Sequence, residues 1–420
     1  MSFESALAEQ AIRELGRIGR ADIVVGVPSY NNAATIRYVI EMAAQGMLRY
    51  FSHMRPLVFN SDGGSTDGTR DTMLRADLPN GVACLSTLYQ GTPGKGSALR
   101  AVFEAAQRLG AQLCIVLDSD LRSITPEWIE RLGQPIVSGQ YDYVTPYYVR
   151  DKHDGTITNN IVYPMTRMLY GVDVRQPIGG DFAVAARLID VYLQQEVWQS
   201  DVARYGIDIW MTTTAINADA HICQAYLGAK IHDAKDPAAA LGPMFRQVVG
   251  TMFDLMGCYE QQWKSAHRTQ PVPIYGTIEA ITPEPVPVNL EALIGQLRRG
   301  RQEWEEVWNE VLSPHNRRAL ASILDQNPSS FRFPAAEWAD IVLDYAVAYR
   351  YRAEQRERII DSMVPLYYGR TAGMVAESQA MDLLTFEREV VQAQATTFEQ
   401  VKPQLIARWE AAGTGRDDRA

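Results

Sequence analysis

Three short apolar runs constrain this fold more than anything else in the chain: 23–28 (IVVGVP), 56–62 (PLVFNSD) and 113–118 (LCIVLD). Each has strand length, and each ends in polar residues. Between them, helical periodicity is expected near 33–45, 66–76 and 97–109, with a further strand at 82–88 and a glycine-rich turn at 91–96. Strands alternating with helices of this size predict an α/β fold, a mostly parallel sheet with helices on both faces. Ligands bind such sheets beyond the carboxyl ends of the strands. The polar clusters at 29–32, 62–67 and 118–120 fall at those ends.

Past residue 145 the pattern loosens. Short helices are expected near 158–170, 186–198 and 206–218, and a strand near 222–231. Residues 268–288 carry five prolines and read as a linker or extended wrap. Long amphipathic patterns follow near 289–312, 335–361 and 375–413, a C-terminal helical appendage. The expected organisation is an N-terminal helix in 1–21, a main domain over 22–267, the proline-rich linker 268–288 and a helical region 289–420. Within the main domain, 22–121 and 122–240 would form two halves.

The composition, 46% apolar and 21% charged over 420 residues, supplies a globular core. A net charge of -10 argues against a nucleic-acid binder, which needs clustered Lys and Arg. The cysteines (Cys84, Cys114, Cys223, Cys258) form no C-x-x-C pair, and Cys84 and Cys114 read as buried small hydrophobes. The first residues lack a signal-peptide core and no long apolar stretch occurs, so a cytoplasmic protein without a membrane span is expected. The C-terminal helices are expected to pack on the main domain or to make a dimer, and would be an interaction surface in a non-catalytic protein. Tyr367-Tyr368-Gly369-Arg370 reads as a connection between two of them, with a Gly-Arg turn reaching an anion as the other option.

Asp118-Ser119-Asp120, directly after an apolar strand, puts two carboxylates at a strand end. Carboxylate oxygens suit Mg²⁺ or Mn²⁺, which can bridge the phosphates of a nucleotide. His232 follows the last strand-like run and is a candidate third donor. Lys95 lies in a glycine-rich turn before a helix, where backbone, helix end and ammonium all favour an anion. That turn does not fit the P-loop pattern.

Eight segments in register make the reading specific: VGVPSYNNAATI (25–36), SDGGSTDGT (61–69), PGKGSAL (93–99), VLDSDL (116–121), GTIT (155–158), QPIGGDFAV (176–184), YGIDI (205–209) and KIHD (230–233). Over about residues 22–240 the chain resembles GT-A fold retaining glycosyltransferases of the glucosyl-3-phosphoglycerate synthase, mannosyl-3-phosphoglycerate synthase and glucosylglycerate synthase group. The resemblance implies a metal-dependent hexosyltransferase using a GDP- or UDP-hexose. Pro28, Tyr30 and Asn32 would line the donor's base and ribose pocket with Asp62 and Gly63 beside them, Asp118, Ser119 and Gly180 would also bind the donor, and Lys95 would contact it near its base or phosphates. Asp120 and His232 would ligate the metal, with Asp118 on a metal-bound water or the ribose. Gly179 and Gly180 would let the sugar approach, and Asp208 would bind its hydroxyls. Gly155, Thr156 and Thr158, with Gly179, would face the acceptor. Lys95, Asp120 and Asp208 are the expected catalytic set.

The family's usual N-E-E is here Asn31-Asn32-Ala33, and its acceptor loop G-R-V-T is Gly155-Thr156-Ile157-Thr158. Thr cannot replace the bidentate charge of Arg. Free D-glycerate, giving glucosylglycerate, is therefore expected over 3-phosphoglycerate. Arg150, Lys152, Arg167 or Arg175 are the residues able to restore that charge. Competing readings are an inverting transferase on another acceptor, with Asp181 or Asp208 as base, and a non-catalytic nucleotide-sugar binding protein.

Overall fold

The structure, a computed structural model, describes residues 5–232, 237–279 and 281–414, without the side chains of 237–240. The chain forms two compact units. The first is 1–150, 174–233 and 271–284; the second is 151–173, 234–270 and 285–420.

The first unit is built on eight strands: β1 Ile23–Ser29, β2 Pro56–Asp62, β3 Ala83–Leu88, β4 Leu113–Val116, β5 Tyr143–Val149, β6 Phe182–Ala185, β7 Ile222–Ala229 and β8 Ile274–Tyr275. They run in the order β8-β7-β5-β6-β4-β1-β2-β3. β6 alone is antiparallel to its neighbours, pairing Val116 with Phe182 and Tyr143 with Val184. β1 and β2 are buried along their whole length, as a strand covered on both faces must be. Helices Ile36–Tyr50 and Pro126–Val137 close one face over a core of Ile23, Val25, Val39, Ile40, Met47, Ile115, Ile129 and Leu132. Helix Lys95–Leu109 packs against β1, where a Cβ on Gly26 would lie 2.2 Å from Val102 Cγ1. Glycine there lets the helix come close enough to hold its amino end at the strand tips.

The expected alternation of strands and helices over 23–116 is present. Three differences follow from tertiary context. β5 contains Pro146, which reads against a central strand, yet β6 pairs only with Tyr143 and Val144, so the missing N–H falls beyond that ladder. The proline-rich segment is a wrap in part: β8 adds to the sheet edge with Ile274 opposite Gln224. Third, the division at 267 does not hold, because 151–173 and 234–270 group with the C-terminal helices. The helix Pro237–Cys258 is apolar enough to need burial on more than one side and packs with Ala335–Tyr351 and Arg356–Ser378.

In the second unit the helix breaks fall at 352–355 and 379–382, between Ala335–Tyr351, Arg356–Ser378 and the run ending in Ala393–Thr414. Tyr367-Tyr368-Gly369-Arg370 is neither a connection nor a turn. It lies inside Arg356–Ser378, and Gly369 admits Leu297, whose Cδ2 lies 2.8 Å from where a Cβ would stand. Arg370 is buried, donating to Gln394, the Phe333 carbonyl and Glu377. Cys114 and Cys223 are buried as hydrophobes, Cys84 is half-buried and Cys258 is exposed. Among the described residues no helix is long and apolar enough to cross a membrane.

Candidate active site

The tips of β1, β2, β4 and β7 assemble the site. After β7 the chain returns beside the Asp118-Ser119-Asp120 turn: Arg122 N–H donates to the Ile231 carbonyl at 2.8 Å, and Ile231 N–H to Ser123 Oγ at 2.9 Å. This return brings Lys230 and His232 to the carboxylates.

Asp118 is held between two lysines. Lys95 Nζ donates to its Oδ1 at 3.0 Å and Lys230 Nζ to its Oδ2 at 2.8 Å. Lys95 also reaches Asp208 Oδ2 at 3.1 Å. Lys230 also reaches Asp181 Oδ2 at 3.0 Å and the Gly179 carbonyl at 2.9 Å. Asp181 is fully buried, accepts the Asp118 N–H at 2.8 Å, and takes the Tyr148 hydroxyl on its other oxygen-bonding side. With these partners it fixes the Asp118 backbone and has no role left as a general base. Burial opposes charge on both lysines, but Asp118 and Asp208 hold Lys95 well above its usual range, and Asp118 and Asp181 hold Lys230 up. The same lysines override burial at Asp118 and hold its carboxyl far down.

Asp120 and Asp208 both shift in the direction opposite to Asp118. Burial, then the charge of Asp118, pushes the Asp120 carboxyl up, while Lys230 and His232 pull the other way. Burial raises Asp208 too, since Lys95 is shared with Asp118. Asp208 Oδ1 is buried with no hydrogen-bond partner, an acceptor aimed at something the protein itself does not provide. Four carboxylates thus outnumber two lysines, with Arg150 at the margin over the Tyr148 ring. No group of three or more His, Cys, Asp or Glu fit to hold a metal occurs among the described residues.

The glycines of this region admit protein before ligand. A Cβ on Gly180 would lie 2.2 Å from Asp118 Oδ2, with φ at +91°, and one on Gly179 2.2 Å from Pro146 Cγ. Likewise Gly94 and Gly96 let the turn close on 202–204, a Cβ on Gly96 falling 1.8 Å from the Val202 carbonyl oxygen. That closure sets Lys95 as the first residue of its helix.

Beside the carboxylates, the loops after β1 and β2 satisfy each other. Tyr30, Asn31, Asn32 and Ala33 N–H donate to Asn32 Oδ1, Ser65 Oγ, Thr69 Oγ1 and Asp67 Oδ2. Gly63 N–H donates to the Ser29 carbonyl, Gly64 and Ser65 N–H to Asp62 Oδ1, and Thr66 N–H to Asn31 Oδ1. Asp62 Oδ2 takes the Ser29 and Ser65 hydroxyls, so this expected donor contact is 1% exposed and spends its acceptors on its own loop. Asn32 Oδ1 also accepts from Ser119 Oγ at 2.8 Å, tying the loop to the carboxylate turn. Pro28 is buried within β1. Tyr30 stands out, 65% exposed, with Cδ2 3.3 Å from where a Gly63 Cβ would be and the Tyr89 hydroxyl 3.4 Å from the same point.

The expected acceptor residues divide. Gly179 lies in the first unit, Gly155, Thr156 and Thr158 in the second. Thr156 is 1% exposed and its hydroxyl shares a 2.6 Å hydrogen bond with Tyr367. Thr158 is equally buried and starts a π-helical turn, Thr158–Val162. Of the basic candidates, Lys152 is spent on the Ser378, Gln379 and Met381 carbonyls and Arg167 on Glu399 and Gln392.

Lys230 and the buried role of Asp181 are what the sequence reading missed. The signal for Lys230 lies in KIHD, a segment in which His232 alone looks like a metal ligand; Asp233 of that motif lies outside the described residues.

A parallel sheet with one reversed strand beside a DxD turn is the GT-A arrangement, and this part of the chain is a nucleotide-sugar glycosyltransferase domain. Residues 24–196 match the model of glycosyl transferase family 2. Among solved structures, glucosyl-3-phosphoglycerate synthase from Mycobacterium tuberculosis with Mn²⁺, uridine diphosphate and glucosyl-3-phosphoglycerate is similar, with TM-score 0.46 and 24% identity over 61% of this chain and 87% of that one. The same enzyme with Mg²⁺ and uridine diphosphate gives TM-score 0.44 and 26% identity over 59% and 83%. No curated protein sequence matches the chain.

Proposed function

We propose that the chain is a metal-dependent retaining hexosyltransferase that moves a hexose, glucose in first place, from a nucleoside diphosphate donor to D-glycerate, giving glucosylglycerate. The observation that carries this reading is the excess of carboxylate at the strand tips, with Asp120 raised and Asp208 Oδ1 unpartnered. Such a site favours a cation and a hydroxyl-rich ligand together. Asp120 and His232 would hold Mg²⁺ or Mn²⁺, with Asp118 at one remove because both its oxygens are taken. A bound divalent ion would neutralise charge on the departing diphosphate. Lys95 supports the same charge from the protein side. The acceptor hydroxyl oxygen forms the new bond to the anomeric carbon as the bond to the diphosphate breaks, and its proton passes to the leaving phosphate oxygen. Asp208 orients the sugar through its free oxygen.

D-Glycerate is favoured because the segment Gly155-Thr156-Ile157-Thr158 lacks the arginine of the G-R-V-T sequence in the group that the chain resembles. Arg150, placed beside Tyr148 and acting on Lys230, supports a second reading with 3-phosphoglycerate. The test is turnover of a nucleotide-sugar panel with Mg²⁺ or Mn²⁺ on both acids. Product on free glycerate with little on the phosphorylated acid is expected. A large preference for 3-phosphoglycerate would overturn the acceptor, and no transfer from any donor would overturn the activity.

A further inference from the structure

We infer that residues 5–7 and Tyr89 form a brace that sets the Lys95 ammonium, which makes Tyr89 a positioning residue for binding of the donor's diphosphate. The inference rests on the transferase reading, which gives Lys95 to that diphosphate.

Lys95 opens its helix straight after a turn that contains Gly91 and Gly94. Glycine leaves a backbone free to take many shapes, so such a turn keeps one shape only when it is fixed from outside. Here the pegs are hydrogen bonds. Gln90 N–H donates to the Ala6 carbonyl at 2.8 Å, beside the antiparallel bridge of Leu7 with Tyr89. The Tyr89 hydroxyl accepts the Gly94 N–H at 2.9 Å, and the Arg204 carbonyl accepts the Gly96 N–H at 3.2 Å. The segment that meets Tyr89 and Gln90 also grips the helix beyond Lys95. Glu104 Oε1 accepts the Ala6 N–H at 3.1 Å, its Oε2 accepts the Ser5 hydroxyl, and Arg100 pairs with the same carboxylate at 2.9 Å. Ala6 and Leu7 are 1% and 2% exposed, so apolar burial holds the segment down as well. Residues 5–7 therefore join the entry of the turn to the body of the helix, and Lys95 lies between the two attachments.

The reach of Lys95 gives this brace its consequence. Its Nζ lies on Asp118 and Asp208, at 3.0 and 3.1 Å. A lysine is a point charge on a flexible stem. To meet a phosphate oxygen while both carboxylates stay within reach, that stem must start from one place. Misplacing such a group by about 1 Å costs on the order of 100-fold, even when the change lies away from the ligand. Without the Tyr89 hydroxyl, the Gly94 N–H loses its acceptor and the turn gains freedom at the residue before Lys95.

The test is calorimetric titration of the full chain with UDP and with GDP in the presence of Mn²⁺. The proteins compared are the parent, Tyr89→Phe, Lys95→Met, the double variant and Glu104→Gln. Tyr89→Phe is expected to raise Kd roughly tenfold for each nucleotide that the parent binds. In the Lys95→Met protein the same substitution should change nothing, because a residue that acts through Lys95 is not additive with its loss. Glu104→Gln, at the far attachment of the brace, should weaken binding in the same direction without touching the nucleotide. A loss that persists in the Lys95→Met protein would mean that Tyr89 meets the nucleotide itself, and it overturns the inference while the transferase reading stands. Parental affinity in Tyr89→Phe or in Glu104→Gln overturns it equally, and these two variants decide the matter should Lys95→Met fail to fold. Failure of the parent to bind either nucleotide overturns both.

Discussion

Lys230 Nζ lies 2.8 Å from Asp118 Oδ2, and the same nitrogen lies 3.0 Å from Asp181 Oδ2. One buried cation therefore holds both the side chain of the carboxylate turn and the residue that fixes its backbone. Removing one partner of a buried ion pair costs about 3–5 kcal/mol, because the other charge is left uncompensated. Lys230→Met should lower the thermal midpoint and reduce turnover at least 100-fold. Lys230→Arg should recover more stability than turnover, since the fork cannot reproduce three contacts made from one nitrogen. A fully active Lys230→Met would show that Asp118 needs only Lys95.

Asp120 is expected to carry the metal without carrying the fold. Asp120→Asn should weaken Mn²⁺ binding by at least tenfold and leave the melting midpoint near that of the parent. Because burial and Asp118 raise this carboxyl above its ordinary value of about 3.9, Mn²⁺ binding should fade on acidification at a higher pH than a solvent-exposed aspartate would dictate. Paramagnetic detection of free Mn²⁺ across pH 4–7 measures both effects. An unchanged Mn²⁺ affinity in the variant would move the metal elsewhere.

The Thr156 hydroxyl bonds to Tyr367 within the helical unit. Thr156→Val should cost about 1 kcal/mol of stability and leave KM for the acceptor as it is. Steady-state kinetics beside a urea titration separates the two roles. A tenfold rise in acceptor KM with unchanged stability would restore Thr156 to the acceptor site.

Lys402 donates to the Leu169 and Ala266 carbonyls, and burial lowers its pKa to about 8. Unfolded, it titrates near 10.4. Below about pH 8 both states are protonated, and the cost of the buried charge is fully present. Between 8 and 10.4 the unfolded chain binds the extra proton, so this group makes stability rise with pH. From pH 7.5 to 9.5 the parent should gain about 1–2 kcal/mol relative to Lys402→Met in matched urea titrations. Parallel pH curves for the two proteins would mean that Lys402 stays charged.

The first four strands could be read from the sequence because each is an apolar run bounded by polar ends. β5 and β6 could not. Pro146 disguises one, and the four residues of the other follow two glycines that look like a loop. In the site, Asp118, Asp120 and Asp208 stand out as carboxylates at element ends. Asp62 has the same outward signature and proves to be a loop brace, a distinction made only by counting its hydrogen bonds. Lys230 was hidden by sequence distance. Its partners are 112 and 49 residues away, and a lysine at a strand end reads as solvated until the sheet is assembled.

The edge strand Ile274–Tyr275 gives the chain an order of completion. On the ribosome, the sheet's other seven strands emerge first, and the helix Pro237–Cys258 is made before the last strand arrives. A shortened gene ending at residue 267 would thus omit the strand that pairs with Gln224 and Ala225. It would expose a sheet edge of the kind that recruits other chains. Expression trials seeking a minimal catalytic fragment should extend past residue 284, and neither unit can be obtained from one uninterrupted stretch of coding sequence.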